Sequence, residues 1–296
     1  MPRPEVFDYV IVGAGSAGCV LASRLTEDPE LRVLLLEAGP WDHAYAWQLH
    51  MPAALAYPLK NDRYNWYYTS EPEPHMDGRR MSCPRGRVLG GSSSINGMAY
   101  VRGHARDYDR WAQGGLEGWD YAHVLPYFKR AESREGGGDL YRGSVGPLHV
   151  ATGACRNPLY RAFIEAGVQA GYAFTADMNG RRQEGFGPMD MTTFRGRRWS
   201  AASAYLRPAM GRSNLEVRTR ALTTRVRLEG RRAVGVEYLH EGWVREVRAG
   251  REVILAGGAI NSPQLLMLSG VGDGDELQRF DIPVIADLPG VGKNLQ

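Results

Sequence analysis

The sequence predicts an α/β fold: a Rossmann-like parallel unit begun at the N-terminus, with an inserted α+β portion that contributes antiparallel strands. Three observations carry this. An apolar run at residues 7–12 leads into a glycine-rich turn at 13–18 and then into an amphipathic stretch. A second apolar run at 31–37 ends on Glu37, closing a β-turn-α-β unit of about thirty residues. Four further strand-like runs lie between 215 and 248, and a Glu229-Gly230 turn separates two of them.

Each element follows from its residues. Phe7-Asp8-Tyr9-Val10-Ile11-Val12 is rich in aromatic and β-branched side chains and reads as a short buried strand. Residues 17–27 set Val20, Leu21 and Leu25 on one helical face, and Asp28-Pro29 stops the helix. Residues 31–37 read as the second strand. Residues 40–82 are irregular, with many aromatics and prolines. Residues 107–111 and 121–131 read as short helices, and the polar, Gly-rich stretch 135–146 reads as an exposed loop. Helical spacing returns at 158–170 through Leu159, Phe163, Ile164 and Val168. Residues 215–219, 222–228, 233–238 and 243–248 read as antiparallel strands, and 252–256 as a buried strand. Ser262 is placed to cap a helix with Pro263 at its first position and Gly270 at its stop.

Composition narrows the function classes. With 43% hydrophobic and 23% charged residues among 296, the chain can bury a core and is not of disordered type. A net charge of +3 is too small for the footprint of a nucleic-acid binder. The arginines between 195 and 232 are expected on the solvated face of β-ribbons, since acidic residues interrupt them. Cys19, Cys83 and Cys155 are odd in number and show no C-x-x-C spacing, so no zinc site, metal centre or redox pair is expected. Reduced, inert thiols in a cytoplasmic protein are the simplest reading. The sequence has no leader-like segment at residues 1–7 and no run of about 18 apolar residues, so no spanning helix is expected.

Gly13-Ala14-Gly15-Ser16-Ala17-Gly18 fits the G-x-G-x-x-G dinucleotide fingerprint, and its setting between a strand and a helix makes the match specific. Gly13 allows the tight turn, Gly15 lets backbone approach a pyrophosphate, and Gly18 lets the helix pack on the strand. The helix start offers free N–H groups and a positive dipole end. Glu37 can accept hydrogen bonds from ribose hydroxyls, which disfavours a 2′-phosphate and argues against NADP. The fingerprint leaves FAD and NAD both open, and its early position leans towards FAD.

Arg85-Gly86-Arg87-Val88-Leu89-Gly90-Gly91-Ser92-Ser93-Ser94-Ile95-Asn96-Gly97 resembles the first signature of the glucose–methanol–choline oxidoreductases. Gly258-Ala259-Ile260-Asn261-Ser262-Pro263-Gln264-Leu265-Leu266-Met267-Leu268-Ser269-Gly270-Val271-Gly272 resembles the second. Within that family the resemblance is strongest to choline-oxidising members. It runs through Glu71-Pro72-Glu73-Pro74-His75-Met76, Asn96-Gly97-Met98-Ala99-Tyr100-Val101-Arg102-Gly103 and Gln183-Glu184-Gly185-Phe186-Gly187-Pro188-Met189-Asp190.

The resemblance implies a flavoenzyme that oxidises a small primary alcohol to the aldehyde by hydride transfer to flavin N5. It implies FAD held by Gly13, Gly15, Ser16, Ala17, Gly18, Glu37 and Ala38 at the ADP end. It places Gly91, Ser92, Asn96, Gly97, Met98 and Ala99 along the flavin, and gives Thr223 a backbone contact to adenine. Some relatives attach the flavin through a histidine where Ile95 stands here, so FAD is expected to be non-covalent. The implied domains are 1–155 for FAD-binding segments, 156–249 for a partial substrate-binding domain, and 250–296 for a return segment of the FAD-binding domain. A quinone or respiratory-chain acceptor would suit a cytoplasmic protein peripheral to the inner face of a membrane.

The sequence ends Pro289-Gly290-Val291-Gly292-Lys293-Asn294-Leu295-Gln296, where the family pattern continues into an Asp-His pair and a C-terminal half. That half carries the family's catalytic histidine, so the expectation is an N-terminal portion, with the other half absent or supplied as a separately encoded partner. Alcohol oxidation needs a base for the hydroxyl proton, and histidine is the natural one. None of His43, His50, His75, His104, His123, His149 and His240 lies in a segment resembling the catalytic motif, so no catalytic residue is assigned. The competing readings are a flavin-binding fragment without turnover and, disfavoured by both signatures, an NAD-dependent dehydrogenase.

Overall fold

The computed structural model describes residues 5–295. The chain forms two compact units. One comprises residues 1–50, 54–95 and 200–296, and the other 51–53 and 96–199.

The first unit is built on a six-stranded sheet. Its elements are β1 (Glu5–Val12), α1 (Ser16–Leu25), β2 (Val33–Leu36), β3 (Leu215–Arg218), β4 (Ala221–Glu229), β5 (Arg232–His240), β6 (Trp243–Leu255) and α2 (Gly258–Leu268). The strand order is β3-β2-β1-β6-β5-β4. The β3–β2, β2–β1 and β1–β6 pairs are parallel, while β6–β5 and β5–β4 are antiparallel. β2 reads Val-Leu-Leu-Leu and is buried at every position, as a parallel strand covered on both faces should be. Val10, Val12, Leu34, Leu36, Val226, Val236, Tyr238, Val247 and Leu265 join in one apolar core. The fold is thus α/β, as predicted, around a mixed sheet of parallel and antiparallel strands.

The strands expected in the inserted portion belong to this same sheet. β6 explains why. Its residues from Trp243 to Arg248 pair with β5, and those from Val247 to Leu255 pair with β1. A boundary at 249/250 would cut one continuous strand, so the compact units divide elsewhere. Residues 215–218, expected to be antiparallel, instead lie parallel to β2. The helix expected to start at Ser262 begins at Gly258, and Pro263 lies inside it, where it can contribute no N–H to the ladder. Gly270, with φ +87°, does follow its end, in the left-handed conformation that glycine accommodates.

The second unit carries helices Ala105–Gln113, Tyr121–Ala131 and Pro158–Gln169 around a small sheet of Glu132–Arg134, Leu148–Thr152 and Asp190–Met191. Asp120 and Asn157 cap the last two helices through their side chains, and His104 with Asp107 forms a reciprocal box on the first. Its interior is charged. Arg142, 1% exposed, meets Glu132 at 2.9 Å, Asp177 at 2.6 Å and Asp190 at 2.7 Å. Arg102 reaches Glu132 at 2.6 Å. The loop 135–146, expected to be exposed, therefore contains one of the most buried side chains of the protein. Burial is tolerated because carboxylates occupy the guanidinium's donors.

Candidate functional site

β1 delivers the chain to Gly13, which has φ +99°. A Cβ there would stand 2.6 Å from the Ala256 carbonyl oxygen, so glycine is required both for conformation and for space. A side chain on Gly18 would overlap the Gly13 carbonyl oxygen, so its absence lets α1 start close against the turn. Gly15 differs. The nearest atoms to a Cβ placed on it are 3.9 and 4.0 Å away, at ordinary van der Waals distance, so this position is not obliged by packing to be glycine. Gly15 is also the N-cap of α1 and contributes no side-chain cap. The first helical bond runs from Cys19 N to Gly15 O, which leaves the N–H groups of Ser16, Ala17 and Gly18 without intrahelical acceptors. Ser16 and Ala17 are exposed. Uncapped N–H donors at the exposed, positive end of a helix suit an anionic group.

Glu37, at the end of β2, is 6% exposed. Its carboxylate accepts from Ala14 N at 2.9 Å and from Gly39 N at 2.8 Å, and Ala38 lies between Glu37 and Gly39 in sequence. Burial pushes the carboxyl up to about 7, against the opposing effect of the two backbone donors and the Arg87 charge. Ala221 N donates to Glu37 O, and Arg220 N donates to Gly39 O, which brings the start of β4 to this end of β2. Two residues further on, Thr223 Oγ1 is buried with no hydrogen-bond partner among the described residues.

The first signature loop closes on the same turn. Gly90 N donates to Ala14 O at 2.7 Å, and Gly91, at φ +54°, would place a Cβ 2.7 Å from Gly15 Cα. Ser92 Oγ accepts from Gly86 N at 3.0 Å, so its hydroxyl also braces the loop. Gly39 escaped the sequence reading. A side chain there would overlap the Arg87 carbonyl, so it is the glycine that lets strand end and signature loop meet. No local pattern announces it, because the approach it permits is to a residue distant in sequence. Ile95 is 2% exposed and packs with Ala46, Leu49, Tyr64 and Val88. Gly13, Gly15, Ser16, Ala17, Gly18, Glu37, Ala38, Gly91, Ser92 and Thr223 all belong to the first unit.

Asn96, Gly97, Met98 and Ala99 belong to the second unit, where they form a turn. Asn96 Oδ1 accepts from Met98 N at 3.0 Å, and Met98 takes φ +62°. The Met98 carbonyl accepts from Thr192 N at 2.8 Å and from Thr192 Oγ1 at 3.2 Å. Arg198 Nη1 donates to Asn96 O at 2.6 Å and to Asn96 Oδ1 at 2.8 Å. Arg198 is 2% exposed, and burial lowers its guanidinium to about 10. It is a second residue that the sequence reading missed, having been grouped with solvated arginines. The available signal was strand alternation, because only one of the neighbours Arg197 and Arg198 can face outward.

Six of the histidines have structural contacts, among them His240, whose ring is tilted beside that of Tyr238. His104 Nδ1 accepts from Arg106 N, and its Nε2 lies 3.2 Å from Glu184. His123 pairs with Asp120 at 2.6 Å. His50 reaches two backbone carbonyls, His43 stacks on Tyr45, and His149 stacks on Phe194. No group of three or more potential metal-binding side chains occurs among the described residues. No helix among them is long and apolar enough to cross a membrane.

Comparison with known proteins agrees with this geometry. The sequence model of the GMC oxidoreductases matches residues 7–296. The mitochondrial choline dehydrogenase of Mus musculus is 60% identical over 99% of the chain, which covers 50% of that protein. An oxygen-dependent choline dehydrogenase of Chromohalobacter salexigens is 58% identical over 100% of the chain, which covers 54% of it. The chain thus spans about half the length of the curated relatives it matches. Among solved structures, pyridoxine 4-oxidase from Mesorbium loti superposes with a TM-score of 0.91 at 38% identity, covering 96% of this chain and 55% of that one. A formate oxidase from Aspergillus oryzae, in a structure concerned with FAD modification, gives 0.87 at 27% identity over 97% of this chain and 51% of its own. On this match, and on the glycine turn and signature loop described above, the chain belongs to the GMC oxidoreductase family.

Proposed function

We propose that the chain holds FAD and that the protein containing it oxidises a small, choline-like primary alcohol to the aldehyde. The observation that carries the cofactor reading is the start of α1, uncapped and exposed at Ser16 and Ala17, with Gly91 closing on Gly15 beside it. That constellation fits a pyrophosphate, and the Glu37 carboxylate beside it fits ribose hydroxyls. The unsatisfied Thr223 Oγ1 lies two residues past the Ala221 contact to Glu37, consistent with an adenosine end. Family membership and the FAD-bearing neighbours support FAD over NAD. Bound there, the flavin would supply the hydride acceptor.

Non-covalent attachment is supported by Ile95, an apolar side chain buried where a linking histidine would be needed. We place Asn96, Gly97, Met98 and Ala99 along the flavin, as the resemblance implies. For these 296 residues alone we propose cofactor binding without alcohol turnover, because none of its histidines lies in a segment resembling the family's catalytic motif. The alcohol chemistry then belongs to a protein of the relatives' length. Electron delivery to a quinone or respiratory chain, at the surface of a membrane, is the reading that fits a dehydrogenase.

The test is anaerobic addition of choline to a full-length protein carrying this chain, followed by its flavin absorbance. Bleaching with choline is expected. A flavin that stays oxidised with choline but bleaches with another primary alcohol would move the substrate. One that no alcohol reduces would overturn the alcohol reading.

A further inference from the structure

The turn at residues 96–99 is held by a device that lies outside the signature motifs. A two-residue hairpin turn, Arg195 at φ +50° and Gly196 at φ +75°, returns the chain so that Thr193 pairs with Arg198. Both positive φ values are those of a type I′ turn, which sets the register without slack. Thr192, just before this hairpin, grips the Met98 carbonyl through both its N–H and its hydroxyl. Arg198, at its far end, grips the Asn96 carbonyl and the Asn96 carboxamide oxygen with one guanidinium nitrogen. Tyr100 N donates to Asp190 O on the approach to the same hairpin.

The donors settle which way the carboxamide faces. Guanidinium and backbone N–H groups can only donate, so the atom between Arg198 Nη1 and Met98 N must be the Asn96 oxygen. The amino group Nδ2 is then the end of the carboxamide left to offer outward, as a donor, from a residue that is itself exposed. Two donors on one oxygen also polarise the amide and strengthen the remaining N–H bonds.

We propose that Arg198 is a positioning residue: it locks the 96–98 turn and orients the Asn96 carboxamide to present a hydrogen-bond donor to an acceptor edge of the cofactor. The cofactor half of this rests on the reading that residues 96–99 line the flavin. The lock on the turn does not.

Backbone hydrogen exchange of the 296-residue chain without cofactor, and FAD titration of the same variants, test the two halves separately. Arg198→Met should speed exchange of the Met98 amide by about tenfold or more, as expected for losing a charge-assisted support, and leave the α1 amides unchanged. Arg198→Lys should recover part of the protection. Asn96 is exposed, so Asn96→Ala should fold even if Arg198→Met does not, and it should show the same local acceleration. Asn96→Asp is the discriminating variant. Its carboxylate keeps both contacts and therefore the protection, but it loses the donor, so FAD affinity should fall about tenfold. Unchanged exchange at Met98 in Asn96→Ala, or acceleration spread evenly over the unit, would overturn the lock. Wild-type affinity in Asn96→Asp would overturn the donor role. A wild-type chain that binds no FAD would count against the cofactor reading and its donor role, with the lock still judged by exchange.

Discussion

Replacing Glu37 by glutamine should change how stability depends on pH, and the sign follows from the site. The Glu37 carboxyl is 6% exposed, and burial raises it from its ordinary 4.5 to about 7 despite the two backbone donors. Because the folded protein holds the proton more tightly than the unfolded chain, the group favours folding most fully below about 4.5. Its contribution declines as pH rises through 7. At roughly 1.4 kcal/mol per pH unit, the span from 4.5 to about 7 corresponds to about 3 kcal/mol. The glutamine of Glu37→Gln cannot titrate. It can still accept from one of Ala14 N and Gly39 N, but its amino group must face the other, at a constant cost of about 1–3 kcal/mol. The assay is urea denaturation of both proteins across this pH range, in the absence of cofactor. Wild-type stability relative to the variant should fall by up to about 3 kcal/mol as pH rises from 4.5 through about 7, and then level off. A difference that is flat, or that grows with pH as for a depressed carboxyl, would refute the reasoning. FAD, whose hydroxyls favour the ionised form, should bind more tightly as pH rises through about 7, and Glu37→Gln should abolish that dependence.

Other outcomes follow from the same structure. Arg142→Met leaves Glu132, Asp177 and Asp190 without their shared cation, and should cost about 3–5 kcal/mol in denaturant unfolding; a loss below about 1 kcal/mol would contradict the buried network. Thr223→Val removes a buried, unpartnered hydroxyl of similar shape, and should leave the cofactor-free chain equally stable or up to about 1 kcal/mol more stable by thermal melting. Iodoacetamide labelling read by mass spectrometry should modify Cys83 and Cys155 well before Cys19, whose thiol is buried in α1, donates to the Ala14 carbonyl and is pushed up by burial.

What the sequence made legible was local. The turn at 13–18, the strand that ends on Glu37 and the helix at 121–131 each depend on neighbours in the chain, and each is recognisable from spacing and composition. Long-range pairing was not legible. Nothing within residues 243–255 announces that one strand serves β5 antiparallel and β1 in parallel, because β1 lies at the opposite end of the sequence. The same holds for charge. Arg142 and Arg198 look like their solvated neighbours in sequence, and only tertiary contacts with Glu132, Asp177, Asp190 and Asn96 turn them inward. At the site, Gly13, Gly15 and Gly18 were readable from the fingerprint. Gly39 was not, since its role is a close approach to Arg87, which is distant in sequence.

The most direct test of cofactor binding at the glycine turn is to saturate the purified 296-residue chain with FAD, remove free flavin by gel filtration and record the absorbance of the protein peak. Flavin retained by the wild type and lost on Gly91→Ala, whose new Cβ would press on Gly15 at 2.7 Å, is the expected result. A chain that elutes colourless while folded, or that keeps its flavin with Gly91 replaced, would contradict it.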